Sequence, residues 1–252
     1  MRFENKKVVI AGGCSDMGIA CAKKLLAQGA KVVLVDISDA LLAKADGLKA
    51  EYLEQIHTCL GSVASSEEIT AAMAYAAEQM GGINVLINCA GIGGKGNVED
   101  MVPSSWKLAI DVTLSGTFYS CRAAVPYLKK EGAGRIINVA SIGGRANRLV
   151  NTGYSSSKAA VCGLGRCMAK ELQPFGITVN TVAPGPINAG MFKRATTDPE
   201  MLKARKMLEE TVVLGRLGEM NEIADGILYF VDDAAAAVTG EIMDINGGTY
   251  MC

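Results

Sequence analysis

The sequence predicts an α/β fold: a doubly wound parallel sheet of about seven strands with helices on both faces, in a single domain. Three observations predict it. Short β-branched runs alternate with longer stretches whose apolar residues recur at helical spacing. The runs are almost continuously apolar, as strands covered on both faces are. Apolar residues make up 50% of the 252 positions, enough for one large core, and no linker, low-complexity tract or short-period repeat divides residues 1–252.

In chain order, the valine- and isoleucine-rich runs at 7–11, 31–36, 84–88, 135–140 and 178–183 read as strands, and 240–246 as a final one. Between them, 17–28, 67–80, 103–130 and 154–174 read as amphipathic helices, and a last helix covers 221–231. Right-handed crossovers then make the strands parallel and collect ligands beyond their C-terminal ends. The rhythm breaks after Pro184-Gly185-Pro186, where a Met-, Lys- and Arg-rich stretch at 187–217 reads as a substrate lid.

Composition excludes several functions. Twenty-five basic residues against twenty-six acidic ones leave a net charge of −1, with no basic run dense enough for a nucleic-acid groove or an anionic membrane. The apolar stretch 8–11 is too brief for a signal peptide or a membrane span, which predicts a cytoplasmic protein. Its eight cysteines contain no Cys-x-x-Cys and read as reduced thiols. With His57 the single histidine, neither a histidine-rich metal site nor a Ser-His-Asp triad has its parts, and no metal is expected.

The first strand ends in Ala11-Gly12-Gly13-Cys14-Ser15-Asp16-Met17-Gly18 and runs straight into a helix, the Rossmann-type turn in which backbone approaches a pyrophosphate at a helix N-terminus. A plain strand-to-helix turn also uses glycine. The wider context comes from Asp36, eighteen residues after Gly18 at the end of the second strand, where a carboxylate accepts hydrogen bonds from ribose hydroxyls and repels a 2′-phosphate. Neither Ser15 nor Ile37 offers a cation to reverse that preference, so NAD is favoured over NADP. The other reading of Asp36 is a turn cap with Ser38 and Asp39.

Tyr154-Ser155-Ser156-Ser157-Lys158 opens a predicted helix and sets Tyr154 and Lys158 one turn apart on one face. An ammonium beside a phenol favours the phenolate, making a proton donor and acceptor usable near neutral pH. A surface pair at this spacing also arises by chance. Ser141, just after the strand 135–140, stands at the ligand edge of the sheet, either to hold a substrate oxygen or as a turn serine before Gly143-Gly144.

These motifs together resemble the short-chain dehydrogenase/reductase family, in the single-domain branch of about 250 residues. The resemblance spans nearly the whole chain. It rests on Gly12 to Gly18, Asn88-Cys89-Ala90-Gly91, Ser141, Tyr154-x-x-x-Lys158, Pro184-Gly185, and Thr239-Gly240 followed by Asp244-Ile245-Asn246-Gly247-Gly248. It implies Tyr154 as acid/base, Lys158 as the group that lowers its pKa and holds the nicotinamide ribose, and Ser141 as the orienter of the substrate oxygen. It implies further that Asn88 supports the central strand, that Ala90 and Gly91 border the cofactor, and that backbone at Pro184, Gly185 and Ile187 lines the nicotinamide. Gly12, Ser15, Asp16, Met17, Gly18, Asp36, Ile37, Ser62 and Val63 complete the implied cofactor contacts, and a homotetramer is implied through the helices 103–130 and 154–174 and the C-terminal strand.

Four positions depart from the family pattern. Asp16 replaces the middle glycine, a carboxylate close to the pyrophosphate that is also suited to cap the helix. Thr113 stands where an asparagine is implied in the proton relay, with a hydroxyl still able to hold a water. Ser62 replaces an aspartate at the adenine, and Ala189 a threonine at the carboxamide. A low-turnover dinucleotide-binding scaffold therefore stands beside the enzyme reading, while a sugar-nucleotide epimerase would need a larger C-terminal domain. For substrate, Met191, Phe192, Met201, Met207 and Leu208 suit a hydrophobic or cyclic secondary alcohol such as a hydroxysteroid, or simply ordinary helix packing. Arg145 and Arg148 suit an anionic 3-oxoacyl thioester, or are solvated loop charges.

Overall fold

A computed structural model describes residues 1–93, 96–146, 151–189 and 199–251. Its strands are β1 (Lys7–Ala11), β2 (Lys31–Asp36), β3 (Ile56–Leu60), β4 (Val85–Asn88), β5 (Arg135–Val139), β6 (Thr178–Pro184) and β7 (Ile242–Ile245), all in one sheet ordered β3-β2-β1-β4-β5-β6-β7. Every neighbouring pair is parallel. The order reverses between β1 and β4, and the crevice of a doubly wound sheet opens there.

The helices are α1 (Asp16–Leu26), the short α2 (Asp39–Leu42) and α3 (Asp46–Glu51), α4 (Ser66–Met80), α5 (Pro103–Ala109), α6 (Gly116–Glu131), α7 (Thr152–Leu172), α8 (Pro199–Glu209) and α9 (Met220–Val231). Alternation along β1 divides the core in two. Val8 and Ile10 join the layer with Leu25 of α1 and Ile227 of α9, while Val9 and Ala11 join the layer with Met73 of α4, Leu128 of α6 and Leu172 of α7. Both faces of the central strands are thereby sealed, which is why their sequences lack the polar alternation of half-exposed strands.

The differences from the expected elements have local causes. Edge strand β3 was not individually predicted: Ile56-His57-Thr58-Cys59-Leu60 is buried only at its first residue, so it lacks a continuous apolar run. Ser15, not Asp16, caps α1; its Oγ accepts the Gly18 N–H at 3.1 Å, and Asp16 falls in the first turn. The single helix expected at 103–130 is three pieces, because Ile110–Ser115 winds as a π-helix between α5 and α6. In the proposed lid, α8 is described; Met191, Phe192, Arg148 and the side chain of Met201 lie outside the described residues.

Candidate active site

Two adjoining clefts open along the C-terminal ends of the strands. The first, about 230 Å³, lies over β1, β2 and β4 and takes in Gly12, Ser15, Asp36, Ile37, Val63, Ala90 and Gly91. Gly12 makes it possible. At φ 71° it occupies backbone open to glycine, and a Cβ there would stand 2.6 Å from the Ala90 nitrogen. The bare backbone, followed at once by the N-terminus of α1, is a cradle for a diphosphate.

Asp36 is more than a strand end. Its carboxylate is buried, and the two oxygens accept the Cys14 and Ile37 N–H groups, each at 2.9 Å. It therefore braces the glycine-rich turn from below while facing the cleft, a job that the alternative cap with Ser38 and Asp39 does not describe. Ser38 caps α2 by itself. Burial, with Asp36 alongside, pushes the Cys14 thiol up to about 11.

The second cleft, about 290 Å³, is bounded by Ser15, Asp16, Met17, Cys89, Gly91, Ser141, Tyr154, Lys158, Pro184, Gly185 and Ile187. Asn151 N-caps α7 by accepting the Tyr154 N–H at 2.9 Å, and the next turn delivers Lys158. The Lys158 ammonium is buried, donates to the Val139 carbonyl at 2.6 Å and lies 5.9 Å from the Tyr154 ring centroid. Gly91 leaves it room: a Cβ at that position would come within 2.9 Å of Nζ. Ser141 accepts the Gly143 N–H at 3.0 Å and lines the same cleft as the Tyr154 phenol.

The electrostatics differ from the expectation that Lys158 lowers the tyrosine. Burial holds the Tyr154 phenol above its ordinary value, with Ser141 pulling it back. Burial also lowers Lys158 itself to about 8, because a desolvated ammonium is penalised. The phenol is thus protonated, and Lys158 keeps its proton until about pH 8.

Four expected site residues stand outside both linings. The Ser62 N–H donates to Glu68 Oε2 and its hydroxyl accepts from Ala64, so Gly61 and Val63 meet the cleft in its place. Asn88 is buried beneath, donating to Asn138 Oδ1 at 2.9 Å and Cys121 Sγ at 3.3 Å. Gly18 serves the α1 cap. Thr113 is fully buried in the π segment, where its hydroxyl accepts the Ile92 N–H at 3.2 Å and its carbonyl accepts the Thr117 hydroxyl at 2.7 Å. Cys89, Ile92, Val112 and Met220 line the clefts without having been singled out. Cys89, inside Asn88-Cys89-Ala90-Gly91, and Val112, directly before Thr113, had a signal. Arg145 is committed elsewhere: Nε and Nη2 donate to the two oxygens of Asp244 at 3.2 and 2.8 Å.

This sheet order, with its crevice at the reversal and a bare glycine turn beneath, belongs to the class of dinucleotide-dependent oxidoreductases. A family model described as enoyl-(acyl carrier protein) reductase matches residues 12–250. The chain is 34% identical over 252 residues to the 3-oxoacyl-[acyl-carrier-protein] reductase FabG of Thermotoga maritima, covering 98% of this chain and 99% of that one. It is also 34% identical over 248 residues to a 3-alpha-(or 20-beta)-hydroxysteroid dehydrogenase of Mycobacterium bovis, covering 98% and 90%. A solved structure from Brucella melitensis, titled a short-chain dehydrogenase/reductase of the glucose/ribitol dehydrogenase type, superposes with a TM-score of 0.88 at 32% identity, covering 100% of this chain and 99% of that one. The chain belongs to the short-chain dehydrogenase/reductase family, oxidoreductases that work with a nicotinamide dinucleotide.

Proposed function

We propose that this protein is an NAD(H)-dependent oxidoreductase that interconverts a secondary alcohol and a ketone, with Tyr154 as the proton donor and acceptor. One observation carries the proposal: Tyr154, Ser141 and the buried Lys158 line one cleft, and its wall is shared with the cleft that Asp36 lines. Gly12, Ser15, Asp36, Ala90 and Gly91 would hold the adenosine and diphosphate, and Lys158, Pro184, Gly185 and Ile187 the nicotinamide half. The bound cofactor supplies or accepts the hydride.

The chain's own residues handle the proton. Ser141 holds the substrate oxygen, and Tyr154, protonated because burial raises it, delivers its proton to that oxygen during reduction. The phenolate left behind is stabilised by Lys158, whose value of about 8 suits it to pass a proton onward near neutral pH. The buried position of Thr113 makes it a support for the Ile92 backbone and, through that, for the wall beside Gly91. Positioning and electrostatics are the protein's share of the chemistry.

The buried carboxylate of Asp36 supports NAD over NADP, since a 2′-phosphate would meet it. For substrate, a hydrophobic or cyclic alcohol such as a hydroxysteroid is favoured by the pairing of Arg145 with Asp244, which leaves that arginine poorly placed to receive an anionic carrier. A 3-oxoacyl thioester is the second reading, supported by the equal similarity to the Thermotoga reductase. The lid at 187–217, a homotetramer and a cytoplasmic location complete the proposal; the free cysteines suit a reducing compartment, and no described helix is long and apolar enough to cross a membrane.

The test is Tyr154→Phe assayed against steroid, alicyclic, aliphatic and acyl-thioester ketones with NADH and NADPH. Turnover should fall about 10²- to 10⁴-fold while NADH binding persists. Wild-type turnover in that variant would refute the mechanism. Intact NADH binding with no turnover of any substrate by the wild type would favour a scaffold.

A further inference from the structure

A short 3₁₀ turn, Ile142–Gly144, follows Ser141 at the second cleft, and three contacts hold it. At three residues it is too short to keep its own shape. At its start the Ser141 hydroxyl accepts the Gly143 N–H at 3.0 Å. At Gly144 the bare backbone packs against α7, where a Cβ would stand 2.5 Å from the Ala159 nitrogen and 2.6 Å from the Lys158 carbonyl carbon. Arg145 closes the turn, its N–H donating to the Ile142 carbonyl at 2.9 Å.

The third contact is long-range. The Arg145 side chain crosses to the edge strand β7, where Nε and Nη2 donate to the two oxygens of Asp244 at 3.2 and 2.8 Å. Both side chains are only 17% exposed, whereas the bidentate pair of Arg216 with Glu222 is 52% and 44% exposed and open to competing water. The Arg145 guanidinium also lies 5.6 Å from the Tyr250 ring centroid, and the Tyr250 carbonyl accepts Asn246 Nδ2 at 2.9 Å. Asp244 stands in register with Ala183, next to Pro184, and the Gly185 N–H donates to the Ile245 carbonyl at 2.9 Å. One ion pair thus joins the turn after Ser141 to the strand pair that carries the Pro184-Gly185 wall of the same cleft. Neither partner lines either cleft.

We propose that Arg145 and Asp244 are positioning residues: their two-point bond fixes Ser141 against the Pro184-Gly185 wall, and with it the substrate oxygen against the nicotinamide. A planar guanidinium held at both oxygens of a carboxylate has a set orientation, which a single-point ammonium lacks. The turn inherits that orientation, because Arg145 is its last residue and the turn is too short to flex independently. Placement errors of about 1 Å at a reacting group cost up to about a hundredfold in rate, so a bond outside the cleft reaches the chemistry through geometry alone. The effect on turnover rests on the reading of Ser141 and the cleft given above; the hold on the turn does not.

The experiment compares the full chain with Arg145→Met, Asp244→Asn, the double variant, Arg145→Lys and Asp244→Glu. Steady-state kinetics with NADH and the best ketone run beside amide hydrogen exchange, read by peptide mass spectrometry over residues 141–146 with β1 and β5 as internal controls. Arg145→Met and Asp244→Asn should each lower kcat about 10- to 100-fold with the KM for NADH within about twofold of wild type. Exchange over 141–146 should quicken about tenfold while β1 and β5 hold. The double variant should lose no more than either single one, since all three remove the same bond. Asp244→Glu, which keeps the two-oxygen acceptor, should recover most of the turnover; Arg145→Lys, which keeps the charge without the fork, should not. Should Arg145→Met fail to fold, Arg145→Lys carries the same comparison. Wild-type kcat in the single variants overturns the proposal, as does wild-type turnover in Arg145→Lys. A fall in kcat with exchange over 141–146 unchanged, or with exchange quickened equally in β1 and β5, overturns it too, the latter making the pair a general brace of the fold. If the wild type reduces no ketone, the oxidoreductase reading falls and exchange alone decides: quickening confined to 141–146 upholds the hold on the turn, and unchanged exchange overturns it.

Discussion

At the scale of single residues, the site is governed by what burial does to charge. Lys158 falls from 10.5 to about 8 on burial, so between those values the unfolded chain holds a proton that the folded chain has released. More protons on the unfolded side mean that stability rises with pH across this window. Tyr154, raised above its ordinary 10, stays largely protonated in both states until the upper part of that range. Urea unfolding at about pH 7.5 and about pH 9.5 should therefore show wild type gaining stability relative to Lys158→Met, which cannot titrate; parallel slopes would refute the account. Asp36 yields a second expectation. Replacing it with alanine strands the Cys14 N–H and should cost about 1–3 kcal/mol, while raising the affinity for NADPH relative to NADH. Thermal unfolding and fluorescence titration read the two effects separately.

At the scale of elements, the π segment Ile110–Ser115 is the least regular and the most consequential piece. It carries Thr113 beneath the loop after β4, where the threonine hydroxyl satisfies the Ile92 N–H. Thr113→Val keeps the shape and removes the acceptor, so it should destabilise by about 1–3 kcal/mol, or roughly 2–4 °C of Tm per kcal/mol for a chain of this size. If Thr113 also serves the proton route, kcat falls with KM unchanged; an unchanged kcat would confine it to support. Helical periodicity could not locate this segment, because apolar spacing continues through it while the hydrogen-bond partner shifts by one residue. Periodicity did locate α1, α4, α7 and α9 to within two residues at their starts, since each presents one apolar stripe to a sealed sheet.

At the scale of the whole molecule, large apolar side chains remain exposed along α5 and α6: Trp106, Leu108 and Phe118, with Val102 at the start of α5. The proposed tetramer would cover this face, as assembly of an exposed apolar patch requires. Introducing a charge there with Trp106→Glu should lower the sedimenting mass below a tetramer, and an unchanged mass would remove that face from the assembly.

What the sequence by itself determined was the parallel doubly wound sheet and the glycine turn, because each depends on local spacing: continuous apolar runs, and glycine where backbone must bend. It placed Tyr154 and Lys158 one helical turn apart, while their role with Ser141 came from resemblance to the family and stands as a proposal. What the tertiary structure decided was everything that depends on neighbours distant in sequence. Asp36 reaches back to Cys14, Arg145 is taken by Asp244, and burial rather than the adjacent ammonium dominates the Tyr154 phenol. Desolvation and hydrogen-bond partnership are properties of the packed chain, so a pairing legible as a motif acquires its charge state only once the fold has enclosed it.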